Sequence, residues 1–337
     1  MAGCGSGAVV PFSLDNMRDD YDPISVARGA ITSVSTCDAN GTFFSSTASG
    51  VLSKHTSAGG VQELLQACQH DIVALSFVPH NSNQIVTAST DGSLCLWNTA
   101  TRRLLWQRHV QRAGSALCTC VAGDLLLAGF QDGCIRAFHM DERLSPAWLM
   151  PDVHTSLDAS GVCRLATTSC HSTLASGGAT GDVRLWNAAT RSLVRPALLH
   201  APLRSLWLCR ACTPGCSWKH LQVAHAKLHT APVTGLQMLS DDAHMISASK
   251  DASIILSKID KAQQLASFSC SSAPIGGIAT AMEPVRSGES APEILASDID
   301  ACQVLYLQSC ARVSPRHHRH SACLCRQHSS RLAPMGN

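Results

Sequence analysis

Residues 84–98 read QIVTASTDGSLCLWN, an apolar run, an Asp91-Gly92 pair and an alternating run that ends near Trp97. An Asp-Gly pair between two strand-like runs is a strong short-range signal of a β-hairpin, because a tight hairpin turn needs the positive φ that glycine accepts. This stretch therefore predicts two antiparallel strands joined at Asp91 and Gly92.

The same hairpin pattern recurs along the chain. Clear copies lie at 125–139, 174–187 and 245–258, and weaker copies lie at 43–56 and 294–308. The positions at which the second strand of each copy ends are His55, Trp97, Phe138, Trp186, Ser257 and Tyr306, with successive steps of 42, 41, 48, 71 and 49 residues. A period of roughly 40–45 residues with this pattern is typical of a four-stranded propeller blade. The sequence predicts an all-β propeller of about six recognisable blades, with seven blades or an incomplete ring as alternatives.

The spacing also predicts how the chain is divided. Residues 29–308 form the propeller, and the long step of 71 residues indicates an irregular insertion at about 201–228. Residues 1–28 are a lead, within which 8–14 supplies the closing strand of the last blade or belongs to a disordered segment. Residues 309–337 are a basic tail rich in His, Arg and Cys, interpreted as flexible.

Two of the hairpins end in Leu96-Trp97-Asn98 and Leu185-Trp186-Asn187. With the repeat length, these endings make the chain resemble WD40-repeat proteins, although Asn stands where that family usually has Asp. The resemblance implies a hydrogen-bonded network within a blade, since a buried indole N–H and a buried imidazole both need partners. The residues that match this network are His70, Thr87 or Ser89, Asp91 and Trp97 in the clearest repeat, and Asp132, Trp186, His229 and Asp251 in the others, with His154 beside Trp186 and Thr180 at the Asp position.

The insertion contains one candidate metal site. Its residues are Cys209, Cys212, Cys216 and His220, spaced C-x2-C-x3-C-x3-H. Thiolates and an imidazole at such spacing can complete a tetrahedral zinc shell. The favoured interpretation is nevertheless an unstructured Cys-rich loop, because the whole chain is already rich in cysteine, with 17 residues of this type. These cysteines are scattered and make up about 5% of the chain, below the roughly 8–10% of secreted disulfide scaffolds. We expect a reducing compartment and no cofactor.

Charge gives little support to nucleic-acid binding. The 26 basic and 24 acidic residues leave a formal charge of +2, which creates no global field for nucleic acid or an anionic membrane. The basic tail is the exception, and three interpretations stay open for it: an arm that touches RNA or an acidic partner, a flexible tail, or translated non-coding sequence. No apolar run approaches the roughly 18 residues of a membrane-spanning helix, and the first residues do not resemble a signal peptide.

Catalytic motifs are missing from the sequence. It contains no H-E-x-x-H, no G-x-S-x-G and no G-x-x-x-x-G-K-[ST] pattern. His70 and His229 sit at repeat positions and are interpreted as structural. We therefore expect a protein that is not an enzyme.

Together, these observations predict a non-catalytic protein–protein interaction scaffold, a propeller subunit or adaptor of a larger multiprotein assembly. The alternative is a subunit associated with RNA or a ribonucleoprotein through the basic tail. The expected partners are other proteins of a complex, with no membrane span. The expected location is intracellular, the cytoplasm in preference to the nucleus or a cytoskeletal structure such as a cilium.

Overall fold

The computed structural model of the 337-residue chain describes residues 2–3, 8–10, 24–25, 29–37, 42–55, 61–66, 69–78, 81–110, 116–141, 144–155, 161–187, 222–239, 241–260, 263–269, 275–281, 293–298, 303–308 and 328–331. All the regular structure in these ranges is β-strand.

The strands form one three-stranded sheet followed by six four-stranded sheets. The three-stranded sheet is β1 (Ala2–Gly3), β2 (Ala8–Val10) and β3 (Ile24–Ser25). The first three four-stranded sheets are β4 (Ile31–Cys37), β5 (Thr42–Thr47), β6 (Val51–His55), β7 (Val61–Gln66); β8 (Ile72–Val78), β9 (Asn81–Ser89), β10 (Ser93–Asn98), β11 (Arg103–His109); and β12 (Ala116–Ala122), β13 (Leu125–Phe130), β14 (Ile135–His139), β15 (Pro146–Met150). The last three are β16 (Val162–Thr167), β17 (Thr173–Gly178), β18 (Asp182–Asn187), β19 (Gln222–Lys227); β20 (Val233–Met238), β21 (His244–Ser249), β22 (Ser253–Lys258), β23 (Gln263–Ser269); and β24 (Ile275–Ala281), β25 (Glu293–Asp298), β26 (Gln303–Gln308), β27 (His328–Arg331).

Each four-stranded sheet is an antiparallel meander in which consecutive strands pair. The first strands of successive sheets, β4, β8, β12, β16, β20 and β24, lie next to one another in chain order. This radial arrangement of meanders is a β-propeller. The prediction of an all-β propeller with about six blades is confirmed.

Every first strand carries a β-bulge near its start. The unpaired residues are Thr32, Val73, Leu117, Cys163, Thr234 and Gly276. At two of these positions a hydroxyl links the strand to the next blade: Thr32 donates to the carbonyl of Ile72, and Thr234 donates to the carbonyl of Ile275 at 2.6 Å. Since a bulge re-aims a side chain, it allows strands of neighbouring blades to be tied together.

The hydrophobic core lies between adjacent sheets. One cluster joins Leu94 and Leu96 of the second four-stranded sheet to Leu126 and Phe138 of the third, and similar clusters fill the next junctions. Packing is close, because a Cβ on Gly177 would lie 2.6 Å from the Cγ1 of Val233 in the following sheet. In the described residues, apolar faces of blades are therefore buried against neighbouring blades, as expected for repeats that cannot fold alone.

The ends of the chain differ from the expected arrangement. Residues 8–10 pair with β1 and β3, whereas the fourth strand of the last sheet is β27, from within the tail predicted to be flexible. The physical reason is that the outer edge of β26 needs hydrogen-bond partners for its backbone N–H and C=O groups, and a strand from either terminus can provide them. Likewise, Gln222–Lys227 of the predicted insertion is the fourth strand β19, so the insertion falls between the third and fourth strands of its blade.

Candidate interaction surface

In three blades, a polar side chain ten residues before the strand-end ring is hydrogen-bonded to a nitrogen of that ring. Thr87 accepts a hydrogen bond from the indole Nε1 of Trp97 at 3.1 Å, and the Ser45 hydroxyl lies 2.9 Å from Nε2 of His55. The spacing follows from the hairpin register, which makes the two residues diagonal neighbours on adjacent strands. Where the ring is the apolar Phe138, the residue ten positions earlier is Ala128. The sequence contained this signal, but the hairpin pattern alone did not reveal it.

The complete network lies in the blade that contains Trp186. The indole Nε1 donates to the hydroxyl of Ser176 at 2.9 Å, and that hydroxyl is 2.8 Å from Nε2 of His154. The Nδ1 of His154 is 2.9 Å from the carboxylate of Asp182. The four side chains are buried. The carboxylate therefore comes from Asp182 and not from the position of Thr180, whose hydroxyl donates to Asp182.

Asp182 is held as a carboxylate by its surroundings. Burial by itself raises the pKa of this group, but the hydrogen bond and charge of His154 outweigh that effect, helped by Thr180 and Arg184. The result is a pKa well below the ordinary value. The guanidinium Nε of Arg184 lies 3.0 Å from the same carboxylate.

The blade of His229 keeps this network without an aromatic ring. The Nε2 of His229 is 2.8 Å from the hydroxyl of Ser247, and its Nδ1 is 2.7 Å from Ser253 and 3.4 Å from the carboxylate of Asp251. Burial lowers the pKa of His229, while Asp251 opposes the shift. At the ring position stands Ser257, which is buried.

Two blades replace parts of the network. In the clearest repeat, the indole N–H of Trp97 donates a hydrogen bond to Thr87, and Ser89 is buried. The carboxylate of Asp91 accepts hydrogen bonds from the backbone N–H and the hydroxyl of Ser93. His70 of that repeat lies exposed at the surface, so the structure does not place it in a buried network.

In the next blade, which has no matching histidine, Asp132 forms a bidentate pair with Arg136 at 2.6 and 3.1 Å. Arg136 also lies 4.8 Å above the ring of Phe130. A guanidinium thus takes the place of the imidazole, because it supplies the positive charge and the donors that the carboxylate needs.

His55 replaces the tryptophan of the first four-stranded blade. Its ring is buried and stacks on Phe43 with centroids 4.4 Å apart. Burial lowers the pKa of His55 to about 4. The ring is therefore neutral at pH 7 and behaves as an aromatic core residue with one hydrogen bond.

Cys209, Cys212, Cys216 and His220, the candidate zinc ligands, lie outside the described residues. Within the part of the chain that the structure describes, no group of three or more His, Cys, Asp or Glu side chains is arranged to hold a metal ion. In the same ranges, no helix is long and apolar enough to cross a membrane.

One cleft opens at the surface between the first two four-stranded sheets. It has a volume of about 310 Å3, counting the part open to solvent, and its lining residues are Phe44, Leu52, Lys54, Trp97, Asn98, Thr99 and Arg102. The floor is apolar and comes from both sheets, while Lys54 and Arg102 bring positive charge. Most of this volume is open solvent, and the enclosed part has room for about one water molecule.

Comparisons with known proteins agree with this geometry. Residues 62–98 match the family model described as "WD domain, G-beta repeat". The chain is 31% identical over 118 residues to "Cilia- and flagella-associated protein 52" of Chlamydomonas reinhardtii, an alignment that covers 33% of this chain and 19% of the relative. The crystal structure of the computationally designed Ika8 protein aligns with a TM-score of 0.58 and 17% identity, over 91% of this chain and 79% of the designed one, which supports the fold alone.

Proposed function

We propose that this chain, which is a WD40-repeat β-propeller protein, is a non-catalytic scaffold that binds other proteins within a larger multiprotein assembly. Propellers present loops, edges and interblade clefts on one rigid frame, and function resides in those surfaces. The similarity to a cilia- and flagella-associated protein supports a ciliary or flagellar assembly as the place where this scaffold acts.

The observation that carries the proposal is the burial of the Ser176–His154–Asp182 group. Its hydrogen bonds follow the order of a catalytic Ser-His-Asp triad, in which the serine must face the substrate. Here Ser176 has an exposed fraction of 0% and its hydroxyl already accepts the indole N–H of Trp186. A substrate carbonyl has no access to this hydroxyl, so the group supports the fold and not a reaction.

The alternative, a subunit associated with RNA or a ribonucleoprotein through the basic tail 309–337, stays a prediction. Residues His328–Arg331 of that tail are paired with β26, which gives this part of the tail a structural role.

The test is isolation of the chain from ciliated cells. The tagged chain is expressed in such cells, the axonemal and soluble fractions are separated, and the mass of the complex containing the tag is measured by gradient sedimentation after mild cross-linking. We expect the tag in the axonemal fraction and, after salt extraction, in a particle heavier than 35.7 kDa. The Ser267→Ala variant, with its substitution at an exposed site, is fractionated in parallel and controls for losses during fractionation. Sedimentation only as a monomer, together with exclusion from axonemes, would contradict the proposal.

A further inference from the structure

We propose that two copies of this chain associate by antiparallel pairing of the outer strand β23 of the fifth four-stranded sheet. The inference goes beyond the proposed scaffold function and does not depend on it. The pairing segment is residues 266–269, whose outer side is called here the β23 edge.

The β23 edge has no partner strand in the part of the chain that the structure describes. β23 lies at the end of its sheet and pairs with β22 on its inner side. Residues 266–269 pair in regular register, from Ala266 opposite Leu256 to Ser269 opposite Ser253, and the bulge lies just before them at Leu265. A strand at the end of a sheet presents unpaired N–H and C=O groups along its outer side, which are a template for another strand.

β23 is the least protected of the six outer strands. Charged residues and proline at a sheet edge oppose pairing with another chain. The other five outer strands each contain at least one such residue: Glu63 in β7, Arg103 and Arg108 in β11, Pro146 in β15, Lys227 in β19 and Arg331 in β27. β23 reads QQLASFS and contains neither a charged residue nor proline.

The described part of the chain does not cover β23. Leu265 has an exposed fraction of 47%. The exposed residues of this strand are Gln263, Gln264, Leu265, Ser267 and Ser269. β15 shows the opposite case, because Trp148 and its neighbours Leu149 and Met150 are buried although they lie on an outer strand. The exposure of β23 leaves room for a second molecule beside it.

The composition of the β23 edge favours a second copy of the same strand as its partner. A dimer with a two-fold axis brings the same patch of both subunits together, so the patch must complement itself. With the axis between Ser267 and Phe268, Ser267 of each copy faces Phe268 of the other, and Ala266 faces Ser269. No charge meets a like charge in this ladder, and like charges directly opposite each other on paired strands are destabilising.

β11 illustrates why exposure alone does not select the strand. It is exposed to a similar extent, with Leu104 at 42% and Leu105 at 44%. Two copies of β11, however, would bring Arg103 and Arg108 of both chains to one interface. The repulsion between these guanidinium groups opposes self-association through β11, whereas β23 meets no such barrier.

The ladder joins the two four-stranded sheets into one continuous sheet across the axis. It contains only a few residues of each copy, so the buried area is small and the affinity modest. We expect a dissociation constant of roughly 1–100 µM. The dimer presents every partner-binding surface twice, which strengthens attachment to a partner that itself has two sites.

Sedimentation velocity of the purified full chain, from about 1 µM to about 500 µM, measures the association. Ser267→Lys and Ser267→Glu place a charge at an exposed position of β23. Ser267→Ala keeps the edge uncharged, and Gln107→Lys is the matched control that adds the same positive charge at an exposed position of β11. Circular dichroism and thermal unfolding of every variant establish that it is folded. Amide hydrogen exchange at both ends of the concentration range locates the interface.

We expect the parent chain to form a species of twice the 35.7 kDa of the monomer. At the higher concentration, amide exchange slows in β23 and is unchanged in β11. Ser267→Lys and Ser267→Glu each weaken association at least roughly tenfold by like-charge repulsion, and a mixture of these two variants restores it. Ser267→Ala and Gln107→Lys associate like the parent chain.

A parent chain that stays monomeric at the highest concentration overturns the proposal. A dimer that Gln107→Lys disrupts and Ser267→Lys does not also overturns it, because the interface then lies at another strand. Either result leaves the scaffold function standing, since that function is tested by the axonemal particle and not by self-association of the purified chain.

Discussion

Trp186 donates its indole N–H to the hydroxyl of Ser176, ten residues earlier in the chain, with the two atoms 2.9 Å apart. The same hydroxyl lies 2.8 Å from His154 of the preceding interblade connection. One small side chain therefore joins two strands of a blade to the segment that enters it. The consequences of this arrangement for stability can be measured.

Replacement of Ser176 by Ala removes the shared hydroxyl and leaves the buried indole N–H of Trp186 and the buried Nε2 of His154 without that partner. We expect a loss of about 2–3 kcal/mol in the free energy of unfolding, because an unsatisfied buried polar group costs about 1–3 kcal/mol. Urea unfolding monitored by tryptophan fluorescence measures the loss. Ser267→Ala, at an exposed position of β23, is the control and should change stability by less than about 0.5 kcal/mol.

Asp182→Ala should destabilise the protein by about 3–5 kcal/mol, as expected when one partner of a buried ion pair is removed. His154 and Arg184 both lose their carboxylate. The pKa of Asp182 is lowered in the fold, so its contribution is present above the pKa of the unfolded chain and is lost as pH falls through the lower folded value. Unfolding of the variant at pH 7 and pH 3 is the measurement. The control is Asp260→Ala, which removes the exposed pair with Lys258 and should cost at most about 1 kcal/mol. Equal losses in the two variants would contradict a structural role for Asp182.

His55 should make the protein sensitive to mild acid. Because burial lowers its pKa from 6.5 to about 4, the unfolded chain binds a proton between these values while the folded chain does not. Stability is therefore full above about pH 6.5 and falls as pH drops towards 4. We expect the loss between pH 7 and pH 5 to be smaller by on the order of 1 kcal/mol in His55→Trp than in the parent chain. Both proteins are unfolded with urea at the two pH values, and His244→Gln, at a partly exposed site, is the control. Parallel losses in the parent chain and His55→Trp would show that His55 is not responsible.

Ala252 should be improved by glycine. The hairpin turns of four other blades place Gly50, Gly92, Gly133 and Gly181 at φ between 78° and 89°, and Ala252 holds the equivalent position at φ 63°. A residue with a Cβ is strained in this left-handed region, so we expect Ala252→Gly to stabilise the fold by roughly 0.5–1 kcal/mol.

The matched reverse change is Gly181→Ala, at the equivalent hairpin turn of another blade. It should destabilise the protein more strongly, since its Cβ would lie 2.3 Å from the carbonyl oxygen of His229. Thermal unfolding of both variants gives the comparison. A decrease in the stability of Ala252→Gly would contradict the strain argument.

The sequence by itself determined the hairpins, their period and the rings at their ends. Asp91-Gly92 defines a turn by local backbone geometry, and strands around it alternate with period two, so neither needs knowledge of distant residues. The pairing of Thr87 with Trp97 follows from the same local register. The break in this period also predicts an insertion at about 201–228, of which Gln222–Lys227 forms the strand β19.

Only the tertiary structure decided which groups complete each network. Asp182, and not a residue at the position of Thr180, supplies the carboxylate that binds His154. The position of His154 depends on the connection between two blades and not on the hairpin. Arg136 compensates for a missing histidine for the same reason. Pairing of β27 with the last sheet and formation of the Trp97 cleft both join segments far apart in the chain. Such contacts depend on how neighbouring sheets pack, and local sequence patterns do not contain that information.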